Sequence, residues 1–133
     1  MSEISISIPT LSENIRIVES FIDNAKEKFA LNDDIYGNIM IAVTESVNNA
    51  MLHGNAGDKQ KNVFLSLEME ENTIIFYISD EGDGFDYHSL PDPTAPENID
   101  KPGGRGIFLM KALSDELSFE NDGKKVKLSF YIN

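Results

Sequence analysis

The chain has 133 residues, 41% of them apolar and 26% charged, which suits one soluble globular domain with a full core. It has no cysteine, which excludes a disulfide scaffold, a thiolate metal site and a cysteine nucleophile. A net charge of −12 argues against sequence-independent binding to nucleic acid. The same charge makes a polyphosphate an awkward guest unless Mg2+ and helix dipoles offset the repulsion, whereas a basic protein partner would suit it.

The N-terminus alternates Ile4, Ile6 and Ile8 with Ser5 and Ser7, which predicts a strand ended by Pro9. It carries no basic region, so it is not expected to be a secretory signal, and no apolar run is long enough to cross a bilayer. A cytoplasmic location is the expectation. Thr10 or Ser12 is a candidate cap for a helix with Ile15, Val18, Phe21, Ile22, Ala25 and Phe29 at helical spacing. After Asn32-Asp33-Asp34, a second helix is predicted from about Asp34 to His53. Gly54-Asn55-Ala56-Gly57-Asp58 should stop it, since Gly and Asn tolerate the left-handed conformation at a helix end.

Residues 63–69 and 73–79 are β-rich runs around a short acidic turn and predict an antiparallel hairpin. Between Asp86 and Pro102 the pattern dissolves, and four of the five prolines fall there. So long a loop in a compact domain is more often functional than not. A third helix from about Gly106 to Leu113, then strands at 117–120 and 126–132 around Asn121-Asp122-Gly123, complete the chain. The order β-α-α-β-β-loop-α-β-β predicts an α+β sandwich: one domain over 1–133, with a mixed, mostly antiparallel sheet and about three helices on one face.

Three stretches carry chemistry. On the second helix Glu45, Asn49 and His53 lie one turn apart, with Ile39, Val43, Ser46, Val47 and Ala50 offering the other face to the sheet. A carboxylate can accept a proton from an attacking hydroxyl, and an amide oxygen is a hard ligand for Mg2+. Alone, such a stripe is more often the solvated side of an amphipathic helix, and His53 reads as structural near a helix C-terminus. Asp80 ends an apolar strand, where its carboxylate could accept from an adenine amino group. Gly82 and Gly84 allow a ligand or another backbone to approach, and Phe85 could pack beside a purine. A plain acidic turn is the simpler account of this stretch; the twelve-residue pattern of a calcium loop is missing. Gly103-Gly104-Arg105-Gly106 opens the third helix, where backbone N–H groups attract phosphate oxygens. It is neither a Walker A loop nor a protein-kinase glycine loop, and a glycine turn before a helix is common.

In combination these stretches resemble the GHKL ATPases, the family of gyrase, heat-shock chaperones, histidine kinases and mismatch-repair proteins. Within that family the chain is most similar to the small anti-sigma regulatory factors with serine-protein kinase activity. Thr44-Glu45-Ser46-Val47-Asn48-Asn49-Ala50 with Leu52-His53-Gly54-Asn55 resembles the family's N box. Asp80-Glu81-Gly82-Asp83-Gly84-Phe85 resembles its first glycine box, and Gly104-Arg105-Gly106-Ile107 its second. The resemblance implies a Bergerat-type two-layer α/β sandwich that binds ATP and Mg2+. It implies Glu45 as catalytic base, Asn49 as metal ligand and Asp80 as partner of the adenine amino group. Gly82, Gly84 and Phe85 would line the nucleotide pocket; Gly104, Arg105, Gly106 and Ile107 would lie at the phosphates, with the role of Arg105 open. Residues 86–102 would form an ATP lid.

The function implied is a serine/threonine protein kinase that phosphorylates a small anti-anti-sigma antagonist and captures a sigma factor, with homodimerisation common in the family. The alternative is an ATP-binding partner-switch module without significant turnover. A sensor histidine kinase is disfavoured, because His53 and His88 are both inside the expected ATP-binding domain rather than on a dimerisation helix.

Overall fold

The structure is a computed structural model that describes residues 3–82 and 104–132. β1 (Glu3–Pro9) leads through a short 3-10 turn to α1 (Ile15–Lys28) and then α2 (Asp33–Asn49), whose last turn continues as a π-helical turn, Ala50–Gly54. The hairpin β2 (Asn62–Glu70) and β3 (Thr73–Asp80) follows, then α3 (Gly104–Leu113) and the hairpin β4 (Glu116–Glu120) and β5 (Lys125–Tyr131). The strands form one sheet in the order β1-β2-β3-β5-β4, and every pairing among the described residues is antiparallel. The architecture is thus the expected α+β sandwich, with three α-helices and an antiparallel sheet among the described residues.

Alternation along the strands decides which face meets the helices, although Ile75 of β3 and Ser129 of β5 are buried as well. Val63, Leu65 and Leu67 of β2, Ile74, Phe76 and Ile78 of β3, and Val126, Leu128 and Phe130 of β5 are buried in one core with Ile8 of β1. The helices supply Val18, Ile22 and Ala25 from α1, Ile39, Ala42, Val43 and Val47 from α2, and Ile107 and Met110 from α3. Burying each large aliphatic side chain contributes roughly 1.5–3 kcal/mol before entropy is counted, so this layer carries the stability of the fold. Phe76 and Phe130, on adjacent strands, meet edge to face with centroids 6.1 Å apart.

The ends of the helices follow local chemistry, with one correction. Asn32 caps α2 by accepting a hydrogen bond from the Ile35 N–H at 2.9 Å, and Asp33 and Asp34 sit favourably in its first turn. Neither Thr10 nor Ser12 caps α1: the residue before it is Asn14, which makes no side-chain cap bond. Thr10 is instead buried, because its hydroxyl donates to the Lys61 carbonyl oxygen at 2.7 Å. No helix among the described residues is long and apolar enough to cross a membrane.

Ser46 is a misfit in this core. It faces inward from α2 with 1% exposure, and its Oγ has no hydrogen-bond partner among the described residues. A buried hydroxyl without a partner is costly, so Ser46→Ala should stabilise the fold by about 1 kcal/mol. That corresponds to a rise of roughly 3–5 °C in a thermal melt. An equal fall in the melting temperature would show that the hydroxyl is satisfied.

Candidate functional site

The site has two ends, and α2 with its π turn runs between them. At the first end the partly buried side chains of Glu45 and Asn49 project toward the start of α3. A Cβ placed on Gly106 would lie 2.9 Å from Asn49 Nδ2, 3.1 Å from its Oδ1 and 3.3 Å from Glu45 Oε2. The missing side chain at Gly106 is therefore what lets the first turn of α3 close on the Glu45–Asn49 pair. That turn presents N–H groups without intrahelical partners and the positive end of the helix dipole. Asn49 Nδ2 donates to the Met110 sulfur at 3.6 Å, a weak bond that leaves Oδ1 as the atom open to a hard cation. The first end thus joins a carboxylate, an amide oxygen and helical N–H donors.

The second end is built where β3 runs out. The Asp80 N–H donates to the Lys124 carbonyl oxygen at 3.0 Å, which keeps this last strand residue tied to the chain before β5. Its Oδ1 accepts the Gly82 N–H at 2.9 Å, so the turn is closed by the carboxylate itself, and Oδ2 has no hydrogen-bond partner among the described residues. Burial pushes the Asp80 carboxyl above the usual carboxylate range; the Gly82 N–H and, more weakly, Lys124 and Lys61 pull the other way. The carboxylate lies against the backbone of Gly54, where a Cβ would collide with both of its oxygens. A Cβ on Gly82 would in turn land on the Gly54 carbonyl oxygen. At this end the two glycines bring backbone against backbone, the second of the two uses that Gly82 invites in the sequence.

The expected Glu45–Asn49–His53 stripe is broken after Asn49. The helix there widens to a π turn, closed by the Asn55 N–H on the Ala50 carbonyl oxygen at 2.8 Å, and His53 is exposed. The left-handed residues of the following turn are Ala56 and Gly57, at φ 52° and 72°, whereas Asn55 is right-handed at φ −85°. Ile107 is 7% exposed and anchors α3 in the hydrophobic core. Gly104 and Arg105 begin α3, and the Arg105 side chain lies outside the described residues, as do Gly84, Phe85, His88 and the whole of 86–102.

Sequence reasoning passes over Gly54, Asn55 and Thr10 as parts of the site. Asn55 is fully buried, donates from Nδ2 to Thr10 Oγ1 at 2.9 Å and to the Asn62 carbonyl oxygen at 3.0 Å, and accepts the Glu81 N–H at 2.8 Å. The one signal for it in the sequence is its place in the box-like run Leu52-His53-Gly54-Asn55.

Residues 8–130 match the histidine kinase-like ATPase domain, and the chain belongs to that family. It is 30% identical over 140 residues to the serine-protein kinase RsbW of Staphylococcus aureus strain MRSA252, covering 97% of this chain and 86% of that one. RsbW of strain JH9 is 28% identical over 137 residues, with the same coverage of 97% and 86%. The fold resembles the crystal structure of the RsbU and RsbW domains of Rv1364c from Mycobacterium tuberculosis, with a TM-score of 0.72 at 15% identity over 99% of this chain. The chain spans 32% of that longer protein. The histidine kinase domain of the blue-light-activated kinase EL346 from Erythrobacter litoralis also superposes, with a TM-score of 0.54 at 17% identity, over 99% of this chain and 69% of that one.

Two glycine substitutions separate the site from its scaffold. Gly37, within α2, has nothing within 4 Å of where a Cβ would lie, so Gly37→Ala should stabilise by about 0.5–1 kcal/mol through helix propensity. Gly82→Ala forces two backbones apart and should destabilise by about 1–3 kcal/mol or more. Denaturant titration of both variants checks this. Equal stabilities for the two would contradict the close approach of Gly82 and Gly54.

Proposed function

We propose that this chain is an ATP-binding anti-sigma regulatory factor, a single ATPase domain that acts as a serine/threonine protein kinase. Its substrate would be a small anti-anti-sigma antagonist protein, and its other partner a sigma factor, in a partner-switching system with the kinase as a homodimer. The observation that carries the reading is the convergence of Glu45 and Asn49 on Gly106 at the opening of α3. The name serine-protein kinase carried by the RsbW relatives supports the choice of hydroxyl acceptor.

In this reading Asp80 Oδ2 accepts from the adenine amino group, and the N–H groups that open α3 hold phosphate oxygens. Glu45 takes the proton of the attacking hydroxyl as its oxygen bonds to the terminal phosphorus and the bond to the ADP oxygen breaks. Asn49 Oδ1 would hold Mg2+ together with the phosphates, which fits a cation that is usually bound by one or two protein groups plus substrate oxygens. The chemistry supplied by bound Mg2+ is an offset to the charge of the phosphoryl group. Among the described residues there is no cluster of three or more His, Asp or Glu that could hold a metal.

Glu45→Gln should leave ATP affinity nearly unchanged and slow phosphoryl transfer by at least about a hundredfold, the usual worth of a positioned general base. The assay is phosphosite mapping by mass spectrometry of proteins that the chain retains from its native cell, after incubation with Mg·ATP. Transfer by the variant at the wild-type rate would remove Glu45 from its role. Absence of any transfer by the wild-type protein, with ATP bound, would leave a partner switch without kinase activity.

The raised Asp80 carboxyl gives a pH signature of two opposite signs. Its charged form is disfavoured in the fold, so its contribution to stability falls as pH rises from the usual carboxylate range through the raised value. Adenine recognition needs the charged form and should rise over that same window. ATP affinity measured across it should therefore increase with pH for the wild-type protein and stay flat for Asp80→Asn. Identical profiles for both would refute Asp80 as the base-recognising group.

A further inference from the structure

The buried side chain of Asn55 has more structural consequence than a helix stop requires. Its amide joins three segments that are distant in sequence: Thr10 after β1, Asn62 at the start of β2 and Glu81 after β3. Both of its donated bonds and one accepted bond are made in a place with no exposure, where an amide without partners would be strongly unfavourable. Its partners are themselves tied down. The Thr10 hydroxyl donates onward to the Lys61 carbonyl oxygen at 2.7 Å, and the Asn62 N–H donates to Glu81 Oε1 at 2.6 Å.

The accepted bond matters most for the site. The Glu81 N–H belongs to the peptide that directly follows Asp80, so Asn55 Oδ1 fixes that peptide plane at 2.8 Å. The next N–H, that of Gly82, donates to Asp80 Oδ1. Two consecutive N–H groups are thus assigned, one to Asn55 and one to Asp80. Gly54 lies against the same carboxylate, where a Cβ would collide first with Oδ2. Asn55 also follows Gly54 directly, and its own N–H closes the π turn on Ala50. One residue therefore sets both the wall behind the carboxylate and the peptide in front of it.

We infer that Asn55 is a positioning residue for nucleobase recognition, acting through the peptide between Asp80 and Glu81 to aim the Asp80 carboxylate at an exocyclic amino group. The inference rests on the reading of Asp80 given above, and it adds that selectivity for an amino-bearing purine depends on a side chain that does not touch the base. A residue with only a structural role would lower stability and weaken all nucleotides alike. A positioning residue must change the ratio between nucleotides that carry the amino group and those that do not.

The experiment compares dissociation constants for ATP and ITP, which carry an amino group and a carbonyl oxygen respectively at the same ring position. It uses the full chain, with circular dichroism and a thermal melt on each variant. Asn55→Ala should lose at least about tenfold of the wild-type preference for ATP, the scale of a hydrogen bond to a charged group. Its affinity for ITP should change little. Ile22→Ala, in the core on α1, should lower the melting temperature without moving the ratio. Should Asn55→Ala fail to fold, Thr10→Val removes the hydroxyl that receives the amide and should lose several-fold of the preference, which Thr10→Ser should restore. A folded Asn55→Ala, or Thr10→Val, with the wild-type ratio overturns the role of Asn55 and leaves Asp80 standing. A wild-type protein that binds ATP and ITP equally overturns the Asp80 reading and this inference with it.

Discussion

The rest of the site depends on a close approach of two backbones, Gly54 at the end of the π turn that extends α2 and Gly82 just past β3. Neither position has room for a Cβ, because each would meet the other segment's backbone or the Asp80 carboxylate. This contact couples a helix that carries Glu45 and Asn49 to a strand end that carries Asp80. Apolar packing between the two layers is nondirectional and tolerates small slides, and this contact, with the Asn55 hydrogen bonds beside it, limits them. With it, the helix is pinned along its axis at its C-terminal end, and Gly106 pins the same helix from the side. The π turn is part of this arrangement. An extra residue in that turn directs Gly54 and Asn55 toward the sheet, and the turn is closed by Asn55 itself.

The charge of the chain sets a second constraint. A net charge of −12 opposes a bound polyphosphate at long range, although screening in physiological salt limits that repulsion to roughly 8 Å. The local feature that offsets it is short-ranged and directional: the N–H groups at the opening of α3. The proposed site would therefore select a phosphate by fixed dipoles at contact distance and gain nothing from steering at long range. Acidity of the rest of the surface would then act on the proposed protein partners, which would meet a larger area of it.

The fold is legible in the sequence because its signals are local and periodic. Alternation in Ile4 to Ile8 and in Val63 to Met69, and the spacing of Val18, Ile22 and Ala25, report burial directly, and each element falls within a few residues of its expected place. The stop after α2 is legible as an event but not in its mechanism. Gly and Asn suggest left-handed geometry, yet Ala56 takes that conformation while Asn55 stays right-handed and buries its amide. Thr10 misleads for the same reason. A hydroxyl before a helix resembles a cap in one dimension, and only the return of the chain at Lys61 and Asn55 shows its partners. Residues that bond across long sequence separations leave no periodic trace, which is why Glu45, Asn49 and Asp80 are visible as candidates while Asn55 and Thr10, bonded to each other behind Asp80, are not.

Two buried polar side chains, one on α2 and one just past its π-helical extension, show the balance the fold strikes. Ser46 is enclosed without a partner among the described residues and burdens the core; Asn55 is enclosed with three partners and specifies how three segments meet. A hydrophobic residue at 55 could fill the space, but it could not orient the Glu81 peptide, since apolar contact has no direction. Asp80 extends the same logic to charge. The enclosure that holds its carboxylate against Gly54 also raises its pKa, so orientation and ease of ionisation are opposed at one residue. The Gly82 N–H relieves part of that cost at Oδ1, and the charges of Lys124 and Lys61 relieve a smaller part. A partly desolvated carboxylate, in its charged form, gains more from a new donor than a solvated one does, because the donor replaces water that burial has already removed. The rigidity at this end of the site and the affinity proposed for it thus arise from the same enclosure.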